Sequence, residues 1–174
     1  LPALPVSVNI SADQFAHQDV LAVVSKVLER TAIPASLLEL ELTETLLMRN
    51  VDRASRILCA LRDLGVGLAI DDFGTGYSSL SYLKQFPVHI LKVDQSFVAD
   101  IIQADDTGKI AGAIIALAHG MGLRVVAEGV ETETQRTYLL KHGCDQFQGF
   151  LFSRPLPADH ATDWLHANKP AGGS

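Results

Sequence analysis

Two adjacent carboxylates, Asp71 and Asp72, close the apolar run Val66-Gly67-Leu68-Ala69-Ile70 and open a loop punctuated by Gly74 and Gly76. A buried strand gains nothing from two acids at its end, because each unpaired charge is expensive to desolvate. A divalent cation removes that expense, since carboxylates placed side by side are what hard cations attract. The pair reads as half of a metal site. Candidates for the other half stand at the ends of the other apolar segments: Asn9, Glu41 with Glu44, Lys92 with Asp94, Glu128 with Glu131, and Gln148. Each has a bland reading alone, as a turn residue, a helix-start acid or a surface amide. Six segments in succession that end this way are hard to assign to chance.

Asn9, Glu41, Asp71, Asp72 and Glu128 offer oxygen ligands only, which suit Mg²⁺, Mn²⁺ or Ca²⁺ rather than zinc or copper. That donor count exceeds what one Mg²⁺ usually takes from protein, so two ions bridged by a carboxylate are expected. Two-metal sites, with ions about 3.5–4 Å apart, are the usual machinery of phosphodiester hydrolysis. Lys92, on an otherwise apolar segment, would then be a cation near the attacking water or the phosphate. The Gly74-Thr75-Gly76 loop lacks the lysine and the length of a P-loop. It reads as an active-site loop anchored by a neighbouring acid such as Glu44. The six histidines have no ligand spacing and read as structural.

The elements that must position these residues alternate along the chain. Strand signals fall at Val6–Ile10, Leu37–Leu42, Val66–Ile70, Val88–Val93, Leu123–Ala127 and near Asp145–Phe150. Helical patterns follow each: one capped by Ser11, one from Thr43 to Leu64 broken near Asn50, and shorter ones at Leu80–Lys84, Ile110–His119, Thr132–His142 and Ala158–Ala167. Repeated strand–helix units without hairpin signals imply an α/β fold with a parallel sheet and helices outside. A doubly wound sheet and a (β/α)8 barrel both satisfy the pattern. No Gly-x-Gly-x-x-Gly follows the first strand, which weakens a dinucleotide-binding reading. In a barrel, all the polar strand ends would share one mouth, where barrel enzymes place their chemistry.

Residues 1–174 suffice for one domain and not comfortably for two. The net charge of −6 argues against DNA or anionic-membrane binding, but not against a nucleotide held through cations. Cys59 and Cys144 read as buried thiols of a reducing compartment, hence a cytoplasmic location. No run approaches the ~20 apolar residues of a membrane span. The abrupt start at Leu1-Pro2-Ala3-Leu4-Pro5 suggests a piece of a longer chain.

The blocks Val8-Asn9-Ile10-Ser11, Glu41-Leu42-Thr43-Glu44-Thr45, Asp71 to Leu80, Leu91-Lys92-Val93-Asp94, Val126 to Thr132 and Gln148 to Pro155 resemble, in order, those of the EAL-domain family. The resemblance implies a modified TIM (β/α)8 barrel that opens cyclic di-GMP to linear pGpG with Mg²⁺ or Mn²⁺. It implies that Asn9, Glu41 and Asp71 hold one ion and that Asp71, Asp72 and Glu128 hold the second. Lys92 and Glu128 would position or deprotonate water, and Gln148 and Asp94 would contact substrate. Glu44 and Glu131 would stabilise the loop from Phe73 to Ser79. It further implies a homodimer, and a linked GGDEF or sensory domain in a cytoplasmic parent or the cytoplasmic part of a membrane-anchored one. One departure matters: no Glu-Ala-Leu occurs in this sequence, and its Glu is a ligand of the first ion in the family. Residues 1–174 are therefore expected to be the C-terminal three-quarters of such a domain, about six βα units without the first strands. Catalytically inactive receptors of the same dinucleotide, or a purely dimerising domain beside a diguanylate cyclase, are the alternatives to the enzyme.

Overall fold

Leu38-Glu39-Leu40-Glu41-Leu42 alternates apolar and acidic residues, and a strand sends such alternation to opposite faces. The computed structural model, which describes residues 3–75, 80–101 and 108–168, shows what each face meets. The strands are β1 (Val6–Asn9), β2 (Leu38–Thr43), β3 (Gly67–Phe73), β4 (Ile90–Val93), β5 (Arg124–Ala127) and β6 (Gln146–Phe147). They form one sheet in the order β1-β2-β3-β4-β5-β6, every neighbour parallel. A doubly wound sheet reverses its order at a switch point. This sequential order is instead that of a (β/α)8 barrel wall, here of six strands.

Between strands lie α1 (Ala12–His17), α2 (Val20–Thr31), α3 (Glu44–Met48), α4 (Val51–Asp63), α5 (Leu80–Leu83), α6 (Gln95–Ala99), α7 (Lys109–Gly120), α8 (Glu133–Lys141) and α9 (Ala158–Ala167). Side-chain caps set the starts of several helices. Ser11 and Gln14 form a capping box on α1, and Asp19 accepts from Ala22 N to begin α2. Asn50 accepts from Arg53 N and splits the long helical pattern into α3 and α4. The helix α6 had no clear sequence signal; Asp94 caps it. Cys144 is buried, as expected, whereas Cys59 is only half-buried, a correction to the reading of both as core thiols. The histidines act locally: His142 stacks on Tyr138, and His119 pairs with Asp145 across α7 and β6.

The outer face of the sheet carries Leu40, Leu42, Leu68, Ile70, Leu91 and Val125, packed beneath the helices in the main core. Its inner face carries a separate small cluster, Ala69, Ile90 and Val126, and beside it the charged residues Glu41 and Lys92. The edge strand β1 leaves Val6 60% exposed, and with Leu4, Val27 and Ile33 it lines an apolar groove of about 420 Å³.

The last strand is shorter than the expected Asp145–Phe150 for a specific reason. After Phe147 the chain spends its hydrogen bonds on the segment after β5: Val130 N donates to Gln148 O at 3.0 Å, and Leu151 N donates to Val130 O at 3.0 Å. This lacing presses Gly149 against Val130, where a Cβ would sit 2.2 Å from the carbonyl oxygen. Gly149→Ala should therefore destabilise the fold by about 3 kcal/mol, at the upper end of overpacking costs, as a lower urea midpoint with an unchanged slope.

Candidate metal centre

Strict alternation along β3 would place Asp71 with Ala69 on the inner face and send Asp72 outward into the helical core. The backbone prevents this. Ile70 pairs with Leu91 and Phe73 with Val93, so Asp71 and Asp72 together oppose Lys92 alone. This is a β-bulge, with Asp72 in the left-handed region at φ 54°. Asp is among the few residues that adopt that conformation without severe strain. The bulge keeps both acids on one side, and Asp72 N donates to Asp71 Oδ1 at 3.1 Å. Carboxylate oxygens of Asp71, Asp72 and Glu128, the last just past β5, lie within 4.8 Å of one another.

Lys92 stands in the middle of this cluster with 3% of its surface exposed. Its Nζ donates to Glu41 Oε2 at 2.7 Å and to Glu128 Oε1 at 2.6 Å, and lies 3.2 Å from Asp71 Oδ1. Burial alone would lower the Lys92 pKa; the hydrogen bonds to Glu128 and Glu41 and the charges of Glu128 and Asp71 outweigh it and hold the ammonium above its ordinary range. For Glu128, burial raises the pKa and the Asp71 and Glu41 charges add to it, against the opposing pull of Lys92. Asp72 is raised first by burial, then by the Asp71 and Asp94 charges. These carboxylates carry more negative charge than one lysine balances. Their donor set is all oxygen, so it fits a hard divalent cation.

The other candidate residues are distributed around this centre. Asn9 ends the edge strand in register with Glu41, on the same face, and is exposed; no hydrogen bond joins it to the cluster among the described residues. Glu41 stands outside the close trio, its Oε2 occupied by Lys92. Glu44, buried at the start of α3, accepts from Gly74 N at 3.2 Å, while its Oε1 has no partner among the described residues. The remainder of the expected loop, residues 76–79, lies outside the described residues. A cleft of about 300 Å³ opens beside the cluster, lined by Asp72, Asp94, Glu128, Glu131, Gln148 and Phe150. Asp94 Oδ1 is also engaged by Ser96 N at 2.9 Å. Glu131 lies exposed, its backbone N–H held by Gln135 Oε1. Gln95 and Phe150 also line this cleft; Gln95 stands past the polar end of its segment and Phe150 reads as the apolar end of the last strand, so neither carried a sequence signal.

A partial parallel barrel with a carboxylate–lysine centre at the carboxyl ends of its strands defines a class of barrel with a candidate metal site, and comparison narrows the class. The EAL domain model matches residues 1–155, so the chain belongs to the EAL-domain family. It is 48% identical over 164 residues to the cyclic di-GMP phosphodiesterase NbdA of Pseudomonas aeruginosa, which covers 94% of this chain and 21% of NbdA. The bifunctional diguanylate cyclase/cyclic di-GMP phosphodiesterase MucR of that organism is 47% identical over 154 residues, 88% of this chain and 22% of MucR. The chain thus spans about a fifth of the length of these curated relatives. Among solved structures, the PaMucR phosphodiesterase in complex with c-di-GMP superposes with a TM-score of 0.86 at 46% identity, covering 90% of this chain and 64% of that one. The Klebsiella pneumoniae BlrP1 manganese/cy-diGMP complex gives 0.80 at 35% identity, over 88% and 40%.

Two variants test the electrostatics. A carboxylate whose folded pKa is raised contributes stability at low pH that is lost as pH rises through the raised value. Asp72→Asn keeps the shape and tolerates the positive φ, so in chelator it should unfold at a higher temperature than wild type at pH 8, with the gap closing at pH 4. Mn²⁺ at about a hundred times its Kd should add about 2.7 kcal/mol to wild type and markedly less to Asp72→Asn. Lys92→Met should lower stability in chelator by about 3–5 kcal/mol, the cost of buried charges left without their partner. Mn²⁺ should restore more stability to that variant than wild type gains, measured by denaturant titration with and without the metal.

Proposed function

We propose that this chain carries the catalytic centre of a metal-dependent phosphodiesterase that hydrolyses cyclic di-GMP to linear pGpG. The observation that carries the reading is the convergence of Asp71, Asp72 and Glu128 within 4.8 Å, with the buried Lys92 between them and Glu41. The phosphodiesterase names of close relatives and the cyclic di-GMP held by superposable structures support the substrate. The manganese in the BlrP1 complex supports Mn²⁺ or Mg²⁺ as the cofactor.

In this reading Asn9, Glu41 and Asp71 would hold one ion, and Asp71, Asp72 and Glu128 would hold the other. When bound, the ions supply Lewis-acid polarisation of the phosphodiester and a water of lowered pKa. The chain's own residues do the rest. Glu128, kept more basic than a free carboxylate, accepts the proton of the attacking water. Water oxygen bonds to phosphorus as the bond to the ribose 3′ oxygen breaks, and that oxygen leaves with a proton from solvent. Lys92 stays protonated and stands as a fixed positive charge beside the water and the phosphate while its N–H groups hold Glu41, Glu128 and Asp71. Gln148 and Asp94 contact substrate across the cleft. Glu44 braces the glycine loop through Gly74, and Glu131, on the cleft wall, is read as a second support of that loop. The diguanylate cyclase activity named for MucR supports a linked GGDEF or sensory domain in the parent; a homodimer in the cytoplasm, or in the cytoplasmic part of a membrane-anchored parent, completes the same reading. No helix among the described residues is long and apolar enough to cross a membrane.

The test is incubation of the full parent chain with cyclic di-GMP and Mn²⁺, with pGpG resolved by chromatography. Wild type should yield pGpG, and Asp71→Ala should lower turnover by at least about a thousandfold, as loss of a group shared by the transition-state machinery does. Tight cyclic di-GMP binding with no product would replace the enzyme with a receptor.

A further inference from the structure

The short helix α6 (Gln95–Ala99) stands between the two turns that carry Asp72 and Glu128. It follows β4, the strand of Lys92, with the end of β3 on one side and the end of β5 on the other. Toward β3 it presents Phe97, which packs against the main core and against Gly74. A Cβ at Gly74 would sit 2.8 Å from Phe97 Cε2. Toward β5 it presents Gln95: a Cβ at Gly129, the residue after Glu128, would sit 2.5 Å from Gln95 Cβ. Residues two apart on a helix project about 200° apart around its axis, so one turn of α6 touches both walls. Gly74 and Gly129 have positive φ values of 95° and 66°, and the missing Cβ at each lets the helix meet the backbone itself.

Each contact reaches a carboxylate through backbone. Thr75 N and Oγ1 donate to Asp72 O at 3.3 and 2.8 Å, closing the turn that contains Gly74. Where Gly74 rests therefore sets where Asp72, at the left-handed φ of the bulge, directs its carboxylate. On the other side Glu128 N donates to Val93 O at 3.1 Å, and Gly129 follows at once. The far end of α6 is tied to the same segment by the buried Gln135. Its Nε2 donates to Val98 O at 3.2 Å, and its Oε1 accepts from Glu131 N at 2.8 Å and Thr132 N at 3.0 Å. Asp94 fixes the near end by accepting from Ser96 N. The helix is thus held at both ends in a gap whose two walls carry like charges, which repel strongly where water is excluded.

The geometry points to α6 as the spacer that sets the distance between Asp72 and Glu128, with Phe97 and Gln95 as positioning residues for the divalent cation those carboxylates would share. This rests on the metal-dependent reading above and adds to it what keeps the ligand pair at one separation. Both residues act through the backbone of the turns they support, not by contact with the ion or the reacting atoms.

The test uses the full parent chain and Mn²⁺ alone, with bound ion counted by loss of the free-ion electron paramagnetic resonance signal. Ions that Asp71→Ala still binds are subtracted. Phe97→Ala should raise the Mn²⁺ Kd about tenfold to a hundredfold, the range for residues that orient metal ligands. Phe97→Met, whose flexible side chain refills the space, should restore most of that affinity. In an Asp72→Asn background Phe97→Ala should change the Kd by less than about threefold, because residues acting through one another do not add. Gln95→Gly, which opens the gap on the other side, should raise the Kd likewise and serves if Phe97→Ala does not fold. Val24→Ala, which hollows the core beneath α2, should lower the urea midpoint in chelator and leave the Kd unchanged. A wild-type Kd in Phe97→Ala, or in Gln95→Gly where the former does not fold, overturns the spacer. So does an equal loss in the wild-type and Asp72→Asn backgrounds, which marks general damage to the fold. A wild type that binds Mn²⁺ with this Phe97 dependence yet leaves cyclic di-GMP intact supports the spacer and overturns the phosphodiesterase reading. A wild type that binds no Mn²⁺ overturns both.

Discussion

One buried ammonium group organises the interior of this half-barrel. Lys92 ties Glu41 on β2, Asp71 on β3 and Glu128 after β5 to a single point on β4. Three carboxylates gathered by neighbouring strands would repel one another in a low-dielectric interior. A permanent cation at their centre lets the strands close around them. One lysine does not neutralise them all, and the remaining excess of negative charge is what makes the centre receptive to divalent cations. The same residue is therefore a strut of the fold at the centre of the proposed site.

The bulge at Asp71-Asp72 is the second device on which the site depends. It breaks the period of the strand at the one place where two consecutive side chains must point the same way. The local cost is an aspartate at φ 54° and a skipped pairing with β4. The gain is a trio of carboxylates from two strands within 4.8 Å. Across the cleft, the lacing of Gln148 and Leu151 to Val130 fixes the opposite wall. One wall supplies the carboxylates and the other carries Gln148 and Phe150, and both are set by backbone hydrogen bonds.

Much of this was legible in the chain. The alternation Leu38-Glu39-Leu40-Glu41-Leu42 gives the two faces of β2 directly, because period 2 is a property of the extended backbone. The recurrence of strand–helix units excludes an antiparallel sheet. The blocks around Asn9, Glu41, Asp71, Lys92, Glu128 and Gln148 suffice to indicate the family, which the match over residues 1–155 shows. Less legible were α6 and the truncated β6, since both are decided by contacts distant in sequence: a cap from Asp94, and hydrogen bonds between Gln148 and Val130. The exposure of Phe150 had no sequence signal either, because an isolated phenylalanine in an apolar block looks like core.

By itself the sequence determined the order of elements, the acidic character of the strand ends and the all-oxygen donor set, because these depend on residue type and local periodicity alone. Only the tertiary structure decided that the sheet runs in sequential order like a barrel wall, since strand order is a matter of long-range pairing. It alone decided that Asp72 turns inward beside Asp71, that Lys92 is bound by three acids at once, and that Phe150 stands bare at the cleft with Arg154 over it. Those facts join atoms brought together across the sheet, where the sequence records only the partners and not the distances.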